Sequence, residues 1–233
     1  MGKQVIRERV WDDLEASGEA RFPFPPHGRI PNYAGADEAA ERLTDLTAWQ
    51  SADAIKCNPD APQLPVRRAA LRQGKTLYMA VPRLRDERCF LRLDPADIED
   101  YEHATTVGGS AEVGVNVPPE QLPTIDLIVS GSVAVTEDGA RIGKGEGYSD
   151  LEYAILAAFD RVDATTPVVT TVHDRQLIDD SLTIEPHDVP LDWIVTPTRT
   201  VETETPYDRP TGIEWGELSA ADIEAMPVLE RLQ

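Results

Sequence analysis

Apolar positions recur at helical spacing at the start of the chain. Val5, Ile6, Val10, Trp11 and Leu14 are separated by charged residues, which predicts an amphipathic helix over Lys3–Ala16. The following run, Arg21 to Asn32, carries Pro23, Pro25, Pro26 and Pro31 and cannot continue that helix, because proline removes N–H donors and pushes its neighbours into extended conformations. It reads as a crossing loop. Ala39, Ala40, Leu43 and Leu46 form the inner stripe of a second helix from about Asp37 to Trp49, with an acidic outer face. Ala52 to Cys57 reads as a short buried strand ended by Pro59, Pro62 and Pro65. Val66 to Arg72 then gives a short helix before the Gly74 break, and Thr76 to Val81 a second strand that stops at Pro82. Between 83 and 121 the apolar periodicity is too low to assign elements.

The pattern sharpens at Ile125. Ile125-Asp-Leu-Ile-Val is a short apolar run of the kind covered on both faces of a sheet, and Leu151, Ala154, Ile155, Ala158, Phe159 and Val162 align on one face of a helix over 151–162. Residues 167–172 and 191–196 supply two further strands, separated by the polar stretch Asp174 to Asp188. Strands alternating with helices predict an α/β fold, a three-layer α/β/α sandwich with a mostly parallel sheet. One domain over 1–233 is expected, with helices of residues 1–50 packing on the sheet and a polar tail over 200–233. Ser219-Ala-Ala-Asp in that tail signals the capped start of a short helix.

Charge changes the picture of partners. The 22 basic and 42 acidic side chains leave a formal charge of −20, a surface that repels nucleic acid and anionic membranes. Lysine occurs only as Lys3, Lys56, Lys75 and Lys144. Acidic excess with few lysines suggests adaptation to a high-salt cytoplasm, with stability rising toward molar KCl. The chain has no uncharged apolar run long enough for a membrane helix, and its first residues lack a secretory signal, so a cytoplasmic location is expected, as monomer or homodimer. Cys57 and Cys89 have neither redox nor metal-site spacing and read as buried thiols.

Candidate chemistry is concentrated in Gly139-Ala-Arg-Ile-Gly-Lys-Gly-Glu-Gly-Tyr-Ser-Asp150. Gly143, Gly145 and Gly147 free the backbone to take positive φ and to expose its N–H groups to an anion. The helix that follows aims its N-terminus at the same place, adding unpaired donors and about half a positive charge. Arg141 and Lys144 add full charges. The spacing is neither a Walker pattern nor G-x-G-x-x-G, and a purely architectural turn stands beside phosphate binding as a reading. Asp150 has two readings as well: a Mg²⁺ ligand, or a residue of a capping box formed by Ser149 and Glu152. His173-Asp174 and His187-Asp188 lie beside strands, where a catalytic imidazole and a histidine paired with loop backbone are both open.

Taken with Ile125-Asp-Leu-Ile-Val, the pattern Gly139-x-Arg-Ile-Gly-x-Gly-x-Gly-Tyr-x-Asp150 and Pro186-His-Asp-Val-Pro-Leu-Asp-Trp-Ile-Val-Thr196 resemble the 5-formyltetrahydrofolate cyclo-ligase family, also called 5,10-methenyltetrahydrofolate synthetase. Arg29-Ile-Pro-Asn, Lys56-Cys-Asn-Pro-Asp-Ala-Pro-Gln and Gly131-Ser-Val-Ala-Val extend the resemblance toward the family's methenyltetrahydrofolate synthetase domain-containing branch. The resemblance implies a cyclo-ligase-like sandwich, an ATP- and Mg²⁺-dependent reaction, and 5-formyltetrahydrofolate, a reduced folate, as substrate. In that reaction the formyl oxygen attacks the γ-phosphorus of ATP, the folate N10 closes onto the activated carbon, and phosphate leaves.

The resemblance implies catalytic roles for Arg141, Lys144 and Tyr148, and nucleotide contacts from Lys3, Arg7, Gly143, Lys144, Gly145, Glu146, Gly147 and Tyr148. Asp150 becomes the metal ligand. Ser149 stands where the cyclo-ligases carry a second tyrosine, and their glutamate-bearing folate segment has no clear counterpart near Lys56 to Pro65. A non-catalytic nucleotide- or folate-binding protein on the same scaffold is therefore the alternative. A third, from fold analogy alone, is a sugar-phosphate isomerase or CoA-transferase relative. Some members carry an appended RNA-recognition module, of which no aromatic signature follows Trp215.

Overall fold

The structure, a computed structural model, describes residues 2–233. Buried Ile6, Val10, Trp11 and Leu14 make helix α1 (Lys3–Ala16) one-sided, as their spacing requires. The proline-rich loop beyond it is held by a two-stranded ribbon, β1 (Ala20–Arg21) with β2 (Asn32–Tyr33). The helix expected over 37–49 is broken into α2 (Ala36–Thr44) and α3 (Thr47–Ser51), because Leu46 takes an extended conformation and starts α3 afresh. β3 (Ala54–Cys57), α4 (Leu64–Arg72) and β4 (Thr76–Ala80) form the first crossover. Pro65 falls in the first turn of α4, where its missing N–H has no partner to lose.

The segment left unassigned by the sequence pattern folds into β5 (Phe90–Leu93), α5 (Tyr101–Ala104), α6 (Val107–Val113) and β6 (Val115–Val117). After β7 (Leu127–Val129), a small hairpin, β8 (Ala134–Val135) and β9 (Arg141–Ile142), precedes α7 (Tyr148–Ala158). The glycine turn therefore follows a hairpin strand outside the main sheet. The chain closes with β10 (Val168–Thr171), β11 (Trp193–Val195), β12 (Thr200–Glu202), α8 (Ala220–Ala225) and α9 (Pro227–Glu230). Ser219 caps α8 with Asp222 as its sequence announces.

The main sheet has eight strands in the order β12-β11-β10-β7-β3-β4-β5-β6. Its five central strands are parallel and its edges antiparallel. One face is covered by α2, α3 and α4 through Leu43, Trp49, Val66 and Leu71. The other is covered by α7 and the C-terminal helices through Tyr153, Ile155, Leu156, Val228 and Leu229. These are the three layers of an α/β/α sandwich. From β3 the chain crosses to β4 on one side, and from β7 it crosses to β10 on the other. The strand order reverses between β3 and β7, and that switch point opens a crevice at their carboxyl ends.

Candidate active site

Ser130 and Gly131 follow β7 into this crevice, and Asn58, Pro59 and Asp60 follow β3 into it. The glycine turn closes over them. The resulting cleft has a volume of about 330 Å³ and is lined by both loops and by Arg141, Lys144, Tyr148, Ser149, Asp150 and Glu152. Each part has a local cause. Arg141 is delivered by the last hairpin strand, and the turn then reverses the chain into α7.

The three glycines do different work. Gly145 and Gly147 lie at φ +105° and +70°, a region that L side chains rarely adopt. Gly143 needs no such freedom: a Cβ there would sit 3.2 Å from Arg141 Nη1, so it is small because the guanidinium passes beside it. Gly147 is the N-cap of α7 and Tyr148 its first residue. This corrects the capping-box reading of Ser149 and Glu152: the positive φ of Gly147 starts the helix two residues earlier, which turns Ser149 into the cleft and Glu152 into the protein. Ser149 Oγ donates to Asn58 Oδ1 at 3.4 Å and lies 3.5 Å from Ser130 Oγ.

Arg141 is almost wholly buried. Its Nη1 donates to the Gly131 carbonyl at 3.0 Å and its Nη2 to Asp150 Oδ1 at 2.5 Å. Asp150 Oδ1 also accepts from the Val189 amide at 3.1 Å. Asp150 therefore ties the glycine turn to the loop before β11. Lys144 reaches over the cleft and pairs with Glu146 at 2.7 Å, both partly exposed, an arrangement that an incoming anion can displace at little cost.

Helix α1 brings its cations to the same turn. Arg7 Nε donates to the Gly143 carbonyl at 2.7 Å, and its guanidinium lies 3.4 Å from the position of a Cβ on Gly145. Burial lowers the Arg7 pKa. Lys3 is held by Asp188 at 2.7 Å and Glu185 at 3.0 Å; burial acts to lower its pKa, but the hydrogen bonds and charges of the two carboxylates together outweigh it and the net shift is upward. Lys3 and Arg7 thus stand on one face of α1, as their spacing requires, with Arg7 against the turn and Lys3 anchored to the loop beyond.

Four site residues escaped the sequence reading. Lys56 points from the middle of β3 to the α7 side and forms a buried ion pair with Glu152, whose Oε2 also accepts from Asn58 Nδ2 at 3.3 Å. Asn58 Oδ1 accepts from the Gly131 amide at 3.1 Å. Polar contacts run from Lys56 through Glu152, Asn58 and Gly131 to Arg141 and Asp150. Asp60 lines the cleft opposite the turn, with its pKa raised by burial and eased down by Lys144. Two signals were available: a lysine in the centre of an otherwise apolar strand, and the run Lys56-Cys-Asn-Pro-Asp, which carries part of the resemblance but assigned these residues no role.

The histidines lie elsewhere. His173 caps a short turn through its Nδ1, accepting from the Arg175 amide at 3.2 Å, and burial lowers its pKa. His187 stands beside Glu185 and Asp188, on the flank of the glycine turn away from the main cleft. Cys57 and Cys89 are buried, and burial raises their thiols to about 11 and about 12. Among the described residues no helix is long and apolar enough to cross a membrane.

A doubly wound sheet with a glycine turn that carries Arg141 and Lys144 over its switch point defines an α/β protein with a polar crevice at the carboxyl ends of its strands. The chain belongs to the 5-formyltetrahydrofolate cyclo-ligase family, whose profile matches residues 2–197. It is 44% identical over its whole length to the methenyltetrahydrofolate synthase domain-containing protein of Mus musculus and 39% identical to that of Homo sapiens. It spans only 63% and 62% of the length of those two relatives. A 5-formyltetrahydrofolate cyclo-ligase of Mycolicibacterium smegmatis is 33% identical over 42% of this chain and 50% of that protein. The fold matches the structure of Aquifex aeolicus 5,10-methenyltetrahydrofolate synthetase with a TM-score of 0.57, at 18% identity, over 89% of this chain and 96% of that one.

Proposed function

We propose that the chain converts 5-formyltetrahydrofolate to 5,10-methenyltetrahydrofolate at the expense of ATP, with Mg²⁺. The observation that carries this reading is the meeting of Arg141, Lys144 and the glycine turn on the switch-point crevice, with Arg7 bonded to the turn at the Gly143 carbonyl, in a protein whose formal charge is −20. Such a phosphoryl transfer asks the protein chiefly for positioning and charge neutralisation. The amides of 143–148, with Lys144 and Arg7, would grip the phosphates. Tyr148 and Glu146 line the cleft beside them. Arg141, held by Gly131 and Asp150, fixes the floor on which the transferring group rests.

The residues present suit a magnesium ion. Among the described residues, both hydrogen bonds accepted by Asp150 engage Oδ1, which leaves Oδ2 as a hard oxygen donor beside the turn. Bound there, the ion would neutralise phosphate charge. Asp60, opposite the turn, would meet the folate.

A second reading, nucleotide or folate binding without turnover, is favoured by Ser149, whose hydroxyl is directed at Asn58 and Ser130 where cyclo-ligases carry a tyrosine. Methenyltetrahydrofolate formation by the purified protein with ATP and Mg²⁺, followed by its absorbance, separates the two. Turnover that Asp150→Asn lowers by about a hundredfold supports the ligase. ATP binding without turnover selects the second reading, and an unchanged rate in Asp150→Asn removes the metal role.

A further inference from the structure

The glycine turn is a partition between two clefts. On the side away from the switch point lies a second cleft of about 280 Å³, to which the turn contributes Gly145 through Tyr148. Its apolar walls face each other: Leu151 and Ala154 from the outer side of α7, and Ile213, Leu218 and Met226 from the C-terminal tail. The tail lies beyond residue 197, where the family match ends. One wall of the cleft is thus built by chain outside the matched core.

The cleft opens onto the turn at Gly145 to Tyr148. Gly145, which lines it, is the glycine against which the Arg7 guanidinium packs, and His187, beside the anchor of Lys3, forms its flank. Five carboxylates line the cleft, and two of them, Glu146 and Asp150, are already engaged by Lys144 and Arg141. That of Asp222 is used by Ser219 to cap α8, whereas Glu214 and Glu217 are exposed at the edge of the cleft. An apolar slot bordered by carboxylates and continuous with an anion grip has the chemistry of a nucleoside site. The walls take the flat base, the carboxylates accept from ribose hydroxyls, and the 5′ phosphates lead into the turn.

We propose that the C-terminal tail builds the nucleoside subsite of the nucleotide whose phosphates the turn holds. ATP would lie across the turn, its base between α7 and the tail and its terminal phosphate over the switch-point cleft. The inference rests on the nucleotide reading of the turn and adds to it the placement of the base and the identity of the residues that distinguish ATP from a bare triphosphate.

The test compares two probes, ATP and inorganic triphosphate, each with Mg²⁺, by calorimetry on the full chain. The expected result is that the unaltered protein binds ATP at least about tenfold more tightly than triphosphate, a difference attributable to burial of the base. Leu218→Glu, which places a charge on the apolar wall, and Ile213→Trp, which fills the slot, should each weaken ATP about tenfold and leave triphosphate affinity within about twofold. An unaltered protein that binds both probes equally, or variants that keep the full preference for ATP, would overturn the subsite while sparing the phosphate grip. Failure of the unaltered protein to bind either probe overturns the grip itself, and the subsite with it. Should Leu218→Glu also lose triphosphate through a displaced tail, the filled slot of Ile213→Trp decides.

Discussion

Replacement of Arg141 by methionine is expected to lower ATP-dependent turnover by about a hundredfold or more and to destabilise the fold by about 3 kcal/mol. The two effects share a cause. The guanidinium is buried, holds the Gly131 carbonyl with one nitrogen and Asp150 with another, and leaves both unsatisfied when it goes. Asp150 then keeps only the Val189 amide, and its carboxylate stays in a site where 12% of the side chain reaches water. Such a charge costs far more unpaired than paired. Lysine at position 141 would restore one charge but not the fork that reaches two acceptors, so a partial rescue of stability with little rescue of rate is expected. Urea unfolding and steady-state kinetics check both halves. Full activity in Arg141→Met would show that the cleft floor does not depend on this side chain.

The second large effect concerns the ion pair beneath the same floor. Lys56→Met alone should cost about 3–5 kcal/mol, because it leaves the Glu152 carboxylate buried without its cation. Lys56→Met combined with Glu152→Leu should recover most of that loss, since a buried ion pair is weak evidence for stability and a packed apolar pair of similar volume often replaces it without penalty. Turnover should not recover with it. The double variant also removes the acceptor of Asn58 Nδ2, and Asn58 is what holds the Gly131 amide. A double variant as stable as the parent but slower by about tenfold is the expected outcome. One that is stable and fully active would make the pair a matter of packing alone.

Much of the frame was legible because long, regular elements write their period into the chain. Helix α1 and the parallel strands β3, β4, β10 and β11 fall where the apolar pattern puts them, within a residue or two at their ends. The stretch 83–121 was not legible: its elements are three to seven residues long, and β5 and β6 lie at the antiparallel edge of the sheet, so neither helical nor strand periodicity runs far enough to register. The break between α2 and α3 was hidden because Leu46 continues the apolar stripe while its backbone leaves the helix.

The site shows the same division. The glycine turn and Arg141 announce themselves by residue type, whereas Arg7 was reached only through the family resemblance. Their meaning changed in detail, since Gly143 serves clearance for Arg141 and not backbone freedom. Lys56, Asn58, Asp60 and Glu152 meet only because β3 and α7 are packed together across the crevice, a juxtaposition of residues about ninety positions apart that no local pattern encodes. Glu152 read as the end of a capping box until the positive φ of Gly147 moved the helix start.

The segment Gly143 to Tyr148 is expected to grip a triphosphate through its main-chain amides. Titration of ¹⁵N-labelled protein with ATP and Mg²⁺ addresses it residue by residue. The amide resonances of Gly143, Gly145 and Gly147 should shift together and saturate with a single dissociation constant, while those of β5 and β6 stay in place. Glycine resonances that do not move at saturating ATP would contradict the account.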